Sequence, residues 1–235
     1  MTRVSILVPC YNEAASVAEA LGRIRAADLG GVEREIIVVD DGSTDGSGEV
    51  LRGVPGIRLL AHGRNRGKGA ALRTALAAAT GEVVLIQDAD LEYDPADFRG
   101  VLAPILAGEA DAVLGSRFAH ERPHFFFGPR RSPFFTHYAG NLAIVRLTNL
   151  LYGHDATDYE GAIKAFRRDV LVSLRVSADG FEYDNEAVCK LLRRGLRVRE
   201  VPIRYSPRVY AEGKKIRWHH GVRMLWTIVK WRILS

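Results

Sequence analysis

The sequence predicts an α/β fold built on a doubly wound, mostly parallel sheet. Three observations predict it. Short apolar runs rich in β-branched residues alternate with helical patterns through the first half of the chain, as βαβ units do. Two of these runs end in the turn-forming hexapeptides Val8-Pro-Cys-Tyr-Asn-Glu13 and Asp40-Asp-Gly-Ser-Thr-Asp45. A third, Glu82-Val-Val-Leu-Ile86, runs into Gln87-Asp-Ala-Asp-Leu-Glu-Tyr-Asp-Pro95, and ligands collect at strand C-termini of such sheets.

In order, residues 4–8 read as a strand and 16–27 as a helix. A strand over 35–39 follows, then a helix over 43–51 opened by Ser43 and Thr44, both good helix starters. Residues 57–61 form a short strand and 67–79 an Ala-rich helix. The apolar run over 82–87 reads as a strand buried on both faces. A helix over 94–107 is bent or shortened by Pro104, and 112–116 is a strand. The rhythm stops at Phe118: 118–133 is a loop broken by Pro123, Gly128, Pro129 and Pro133. Beyond it come a helix over 134–151, a strand over 163–166, a helix over 183–194 and a strand over 198–203. The tail, 218–234, is a short C-terminal amphipathic helix. No repeat or flexible linker divides the chain, so 1–217 are expected as one domain and 218–235 as its appendage.

Net charge is +5, a basic balance that suits nucleic acid, an anionic membrane face or phosphorylated substrates. Cys10 and Cys189 are too few for a disulfide scaffold and wrongly spaced for zinc; both read as buried thiols rather than nucleophiles. The chain opens directly into a strand, so no signal peptide is expected. No run approaches the ~18 apolar residues of a spanning helix. The expected location is cytoplasmic, with any membrane contact peripheral, on the cytoplasmic membrane face.

The acidic motif carries the chemistry. At a strand end, residues i and i+2 point the same way, so Asp88 and Asp90 aim at one point and call for a cation between them. Oxygen-only ligands suit Mg²⁺ or Mn²⁺, ions that also hold substrate phosphates. An isolated Asp-x-Asp is an ordinary turn; here the ends of neighbouring strands share its crevice and bring Tyr11, Glu13 and Asp41 towards it. Asp41 reads as an acceptor for a nucleotide base or ribose, with Pro9 and Tyr11 shaping the base slot, and Asp45 as turn chemistry. Lys68, in Arg64-Asn-Arg-Gly-Lys-Gly69, stands at a helix start where amides and an ammonium suit an anion. It matches neither a Walker loop nor a dinucleotide fingerprint, and a donor-diphosphate role stands level with a helix-start role.

Taken in order, the motifs resemble family 2 glycosyltransferases of GT-A fold, and more narrowly the dolichol-phosphate mannose synthase group of polyprenyl-phosphate glycosyltransferases. The resemblance rests on Val8-Pro-Cys-Tyr-Asn-Glu13, Val38-Val-Asp-Asp-Gly-Ser-Thr-Asp45, Asn65-Arg-Gly-Lys-Gly69, Asp88-Ala-Asp-Leu-Glu92 and Gly115-Ser-Arg117. It continues through Lys164-Ala-Phe-Arg-Arg168, Gly180-Phe-Glu182 and Glu212-Gly-Lys-Lys-Ile216, almost the whole chain. It implies an inverting, metal-dependent transfer from a nucleotide-sugar donor. By position, Pro9, Tyr11, Glu13 and Asp41 would hold the nucleoside, with Lys68, Ala89, Arg208 and Lys215 completing the donor site. Asp88 would contact the donor, Asp90 would bind the metal, and Glu92 takes a second ligand position where some relatives have Gln. Arg117 and Asp158 complete the expected catalytic set.

A phosphate acceptor calls for guanidinium groups; Arg117 and Arg208 match family positions, and Arg130, Arg131 and Lys214 are further candidates. A lipid monophosphate is already an anion and needs no base, whereas a hydroxyl acceptor does. Asp158, Glu182 and Glu186 are base candidates, with Glu186 preferred as an exposed helix residue. Phe125-Phe-Phe127 and Phe134-Phe135 bracket Arg130 and Arg131, an arrangement suited to a headgroup boundary. In the tail, Trp218, Val222, Leu225, Trp226, Val229 and Ile233 share one broad face, with His219, Arg223, Lys230 and Arg232 at polar positions. That face either lies on an anionic bilayer or packs on protein. His219 and His220 lack metal-ligand spacing. Many relatives carry C-terminal spanning helices; this chain resembles the short form, which sits on the membrane alone or recruits a membrane-protein partner. The expected activity is transfer of a hexosyl unit, mannose from GDP-mannose, onto polyprenyl phosphate. A UDP-sugar donor with a lipid-phosphate or hydroxyl acceptor is the alternative. A non-catalytic nucleotide-binding scaffold is disfavoured by the intact acidic motif. No nucleic-acid partner is expected, because the cations follow substrate motifs without stacking aromatics.

Overall fold

The computed structural model describes residues 2–119, 135–207 and 218–234. Seven strands, β1 (Arg3–Cys10), β2 (Glu33–Asp40), β3 (Arg58–Ala61), β4 (Val83–Ile86), β5 (Ala112–Ser116), β6 (Lys164–Arg167) and β7 (Val198–Pro202), form one sheet. Their order is β3-β2-β1-β4-β6-β5-β7. Every pairing is parallel except those of β6, which runs antiparallel to both β4 and β5.

Side chains of period two feed two cores. Ile6, Val8, Ile36, Val38 and Leu85 face α1 (Val17–Ala26) and α4 (Phe98–Leu106). Leu7, Ile37, Val39 and Ile86 face α3 (Lys68–Ala78) and α7 (Tyr183–Arg193). Register aligns Cys10 with Asp40, Asp40 with Ala61, and Leu7 with Ile86, so the loops after β1, β2 and β4 open on one edge. Because β6 is reversed, its beginning lies at the edge where β4 and β5 end. That reversal brings 157–163 beside the acidic motif and Arg117.

The predicted elements are present with shifted ends. α2 (Ser47–Arg52) starts four residues later than predicted, because Ser43 and Asp45 are engaged with the loop after β1. In front of α4, Pro95–Asp97 form one 3₁₀ turn, capped by Asp94 accepting from the Ala96 amide at 2.9 Å. α4 ends two residues past Pro104, whose carbonyl accepts from Glu109 and Ala110. The sequence reading missed α6 (Arg168–Leu174), a Val-rich helix of about two turns that buries Leu171 and Leu174 straight after β6.

α5 (Phe135–Tyr152) and α8 (Trp218–Ile233) pack on each other and on α7. Ile144, Cys189, Met224 and Ile228 form their shared cluster. The broad apolar face predicted for the tail is therefore divided. Leu225 packs against that cluster, whereas Val222, Trp226 and Ile233 are exposed. Both cysteines are buried and neither is disulfide-bonded; burial pushes the Cys189 thiol up to about 12. Among the described residues, no helix is long and apolar enough to cross a membrane.

Candidate active site

The loops after β1 and β2 are stitched together before any ligand is considered. Ser43 Oγ accepts from the Asn12 amide at 2.9 Å, and Ser47 Oγ from the Glu13 amide at 2.8 Å. Asn12 Oδ1 accepts from the Thr44 amide, and Asp45 from Ala14 and Ser47, the turn role read for it in the sequence. Glu13 is buried and accepts from Ser16 Oγ at 2.9 Å; that hydroxyl also lies 3.1 Å from the Ala89 carbonyl. Glu13 thus joins the first loop to the acidic one, while Pro9 and Tyr11 remain half-buried at the edge.

Asp41 is only 2% exposed. Its carboxylate lies 2.6 Å from His62 Nδ1 and accepts from the Arg66 and Gly67 amides at 3.0 and 2.8 Å. The anion cradled at the start of α3 is therefore the chain's own aspartate, an arrangement the helix dipole favours. The other side of this start is closed by the 177–180 segment: the Ala70 amide donates to the Asp179 carbonyl at 3.1 Å. A Cβ on Gly67 would overlap the Asp179 carbonyl, and one on Gly69 that of Ala178. Gly67 moreover holds φ +100°, which favours glycine.

Lys68 leaves this start towards β4. Its Nζ lies 2.9 and 3.0 Å from the two oxygens of Asp88 and 3.6 Å from Asp184. Asp184 in turn lies 3.2 Å from Nζ of Lys164, a lysine 1% exposed that also donates to the Gly161 carbonyl at 2.5 Å. Burial opposes the Lys68 charge, yet the Asp88 and Asp184 carboxylates outweigh it and hold the ammonium above the usual lysine range. Burial likewise opposes the Asp184 charge, and Lys164 and Lys68 overturn it, keeping that carboxyl below the ordinary range.

Asp90 accepts from the Glu92 amide at 3.2 Å, across Leu91 at φ +61°. Asn12, in the facing loop, holds φ +51°. Left-handed backbone at such residues costs about 1–3 kcal/mol and gathers at functional sites. Lys68 thus supplies a cation between Asp88 and Asp184, beside the Asp88–Asp90 pair that the sequence expects to share a divalent ion. Among the described residues, no three His, Cys, Asp or Glu side chains are gathered into a ready metal cage. The all-oxygen donors Asp88, Asp90 and Glu92 suit a hard divalent ion whose shell is completed by substrate oxygens, as Mg²⁺ commonly requires.

At the end of β5, Arg117 grips Asp158 with both prongs, Nε to Oδ2 at 2.7 Å and Nη2 to Oδ1 at 2.9 Å, and with its amide at 3.1 Å. Asp158 is fully buried. Burial would raise its pKa, but the guanidinium beside it holds it below the usual range. The guanidinium carbon also stands 5.2 Å from the Tyr205 ring, which is tilted against Tyr93 at 5.2 Å.

Glu160 accepts from Asn185 at 2.7 Å; burial, with Asp184 and Asp158 nearby, raises its pKa despite Lys164. Glu186, expected as an exposed helix residue, is instead 2% exposed, accepts from the Ser177 and Ala178 amides and pairs with Lys190 at 2.5 Å. It is a buried strut for the 177–180 segment.

Sequence reasoning singled out Asp88, Asp90, Lys68, Arg117 and Asp158 but missed Asp184, Lys164, Glu160 and His62. The available signal was Lys164 within an apolar strand and Asp184 in the first turn of a helix, charged groups where burial demands partners. Phe125, Phe126, Phe127, Arg130, Arg131, Phe134, Arg208, Lys214 and Lys215 lie outside the described residues, as do the side chains of Phe135 and Trp218.

A family model described as glycosyl transferase family 2 matches residues 5–175. The glycosyltransferase AglJ of Haloferax volcanii is 32% identical over 206 residues, 87% of this chain and 63% of that protein. An undecaprenyl-phosphate 4-deoxy-4-formamido-L-arabinose transferase of Edwardsiella ictaluri is 31% identical over 220 residues, 90% of this chain and 62% of that protein. The chain thus spans under two thirds of the length of either relative. Among solved structures, glucosyl-3-phosphoglycerate synthase from Mycobacterium tuberculosis, in complex with Mn²⁺, UDP and phosphoglyceric acid, aligns at TM-score 0.76 with 21% identity. The alignment covers 100% of this chain and 80% of that one, a likeness of fold. The α/β architecture is the expected GT-A fold, its sheet mixed by the single reversed strand.

Proposed function

Because the chain belongs to glycosyl transferase family 2, we propose that it moves a hexosyl unit from a nucleotide-sugar onto a polyprenyl phosphate, with inversion. One observation carries the choice of acceptor. Asp158, a base candidate from the sequence, is buried, gripped twice by Arg117 and held deprotonated. It is a poor proton acceptor, and a phosphate acceptor needs none. The undecaprenyl-phosphate transferase of Edwardsiella ictaluri supports the same class of acceptor.

An acceptor phosphate oxygen would attack the anomeric carbon while the bond from that carbon to the diphosphate breaks, and the nucleoside diphosphate leaves with the bonding electrons. Pro9, Tyr11, Glu13 and Asp41 would frame the nucleoside. Ala89 and Lys68 would border the diphosphate, with Lys68 shifting its charge from Asp88 as donor oxygens arrive. Arg208 and Lys215 would complete that cationic wall, and Arg117 would orient the acceptor phosphate. Asp90 and Glu92, with Asp88 beside them, would hold Mg²⁺ or Mn²⁺; when bound, the ion neutralises charge on the departing diphosphate. Donors and cations aimed at that developing charge are the main lever on rate.

The donor best matching the motifs is GDP-mannose. A UDP-sugar is the second reading, supported by the UDP held in glucosyl-3-phosphoglycerate synthase structures of like fold. A lipid acceptor also implies peripheral contact with a membrane, directly or through a membrane-protein partner. The deciding experiment mixes purified protein with Mg²⁺ or Mn²⁺, separate nucleotide-sugars and a short-chain polyprenyl phosphate in detergent. Sugar-lipid and nucleoside diphosphate should form together, and only when the lipid phosphate is present. No turnover with any donor would favour a non-catalytic scaffold, and turnover onto a neutral alcohol would overturn the acceptor.

A further inference from the structure

We propose that the outer face of α8 is the docking surface for an anionic lipid bilayer, beginning at the mouth of the active site. The inference rests on the lipid-phosphate reading above and adds the surface that meets the lipid. At about 100° per residue, Val222, Trp226, Val229 and Ile233 fall within roughly 60° of one another. Val222 is 57% exposed, Trp226 66% and Ile233 73%, an unusual density of large apolar side chains on one helix face. Arg223 and Lys230 border the stripe on one side and Arg232 on the other.

Charge identifies the occupant. Neither α5 nor α8 contains a single acidic residue, in a chain with 28 Asp and Glu in all. The cations of the pair are Arg146, Arg223, Lys230 and Arg232. A cation-flanked apolar stripe with a tryptophan is the chemistry of an interfacial helix, and cations near an anionic surface each add to binding. A cleft of about 340 Å³ runs along the Arg223–Lys230 edge, between α8 and the 177–186 segment, with Trp226, Thr227 and Trp231 in its wall. Glu182 and Glu186, the latter paired with Lys190, line its far wall, so the cations on the α8 side are what a lipid headgroup would meet.

Placement links this surface to the reaction. Ile144 lies against Met224 and the Leu151 carbonyl accepts from Arg232 at 2.7 Å, so α5 and α8 run side by side in the same direction. Both begin at the site. In α5, Asn141 lies 3.4 Å from Arg117 and Tyr138 meets Phe118 edge-on at 5.6 Å. In α8, His220 meets Phe181 at 4.9 Å, one residue from the segment that closes over Gly67 and Gly69. A chain resting on its α8 stripe would hold this mouth near the headgroup layer, where a lipid phosphate resides.

The test is sedimentation with vesicles of phosphatidylcholine alone or mixed equally with phosphatidylglycerol, without donor, alongside transfer to a short-chain polyprenyl phosphate in detergent. Wild type should bind mixed vesicles roughly 10-fold or more tighter than phosphatidylcholine vesicles, and added salt should weaken that preference. Val222→Glu with Trp226→Glu should abolish binding, and Arg223→Gln with Lys230→Gln should remove the anionic preference. Both variants should keep wild-type melting temperature and detergent turnover. Equal binding by the stripe variant overturns the proposal, as does failure of wild type to bind. So does a self-associating wild type that the stripe variant makes monomeric, since a second copy would then cover the face. Because vesicle binding is read without turnover, a failed lipid-acceptor reading shows only in the detergent assay.

Discussion

The Arg117–Asp158 pair shows how far a single contact reaches. Removing one partner of a buried ion pair costs about 3–5 kcal/mol, so Asp158→Asn should lose about that much in a denaturant titration. Arg117→Lys, which cannot make the two-pronged contact, should fold better than Asp158→Asn yet still lose transfer. Asp158 and Asp184 both lie below the ordinary carboxyl range. Their stabilisation is therefore complete above the unfolded carboxyl value and is lost as pH falls through the lower folded values. Glu160 has the opposite sign: its raised folded pKa makes its charge a cost at neutral pH that protonation relieves. Glu160→Gln should raise the melting temperature at pH 7, and that gain should shrink as pH is lowered through the carboxyl range. The acidic pair was legible from sequence because a strand end displays it. The partners of Lys68 were not, since Asp184 arrives on a helix far along the chain and only the folded sheet brings them together.

Among the elements, the start of α3 is held by an internal anion on one side and a backbone segment on the other. Gly69→Ala would press a methyl into the Ala178 carbonyl, an overpacking of about 1–3 kcal/mol. The variant should melt earlier and bind donor more weakly, as calorimetric titration with nucleotide would show, because Gly69 directly follows Lys68. The βαβ half of the sheet was readable because its strands are buried apolar runs and its helices are periodic. Two things were not. α6 is short and Val-rich, so its pattern continues that of β6. The direction of β6 is set by pairing with strands distant in sequence, which no local pattern encodes, and on that reversal depends the meeting of Asp158 with Arg117.

The whole molecule treats α8 as part of its core on one face and as surface on the other. Ile228 is fully buried, so Ile228→Ala should cost about 2–5 kcal/mol. Trp226→Ala, on the outer face, should stay within about 0.5 kcal/mol, and thermal denaturation of the two variants would separate these roles. Deleting 218–235 would strip cover from Ile144 and Cys189, so truncation disturbs folding as well as any lipid contact. Hydrophobic periodicity revealed that the tail was amphipathic. It could not tell which arc is taken by α5 and α7, because that depends on neighbours rather than on the helix itself.

The ammonium of Lys68 between Asp88 and Asp184 has a consequence for handling the protein. A cluster of acids at a strand edge would ordinarily push the loop apart in the absence of its ion, and proteins built that way unravel when stripped of metal. Here a fixed internal cation takes over that balancing, so a chelator should silence turnover and leave the melting curve where it was.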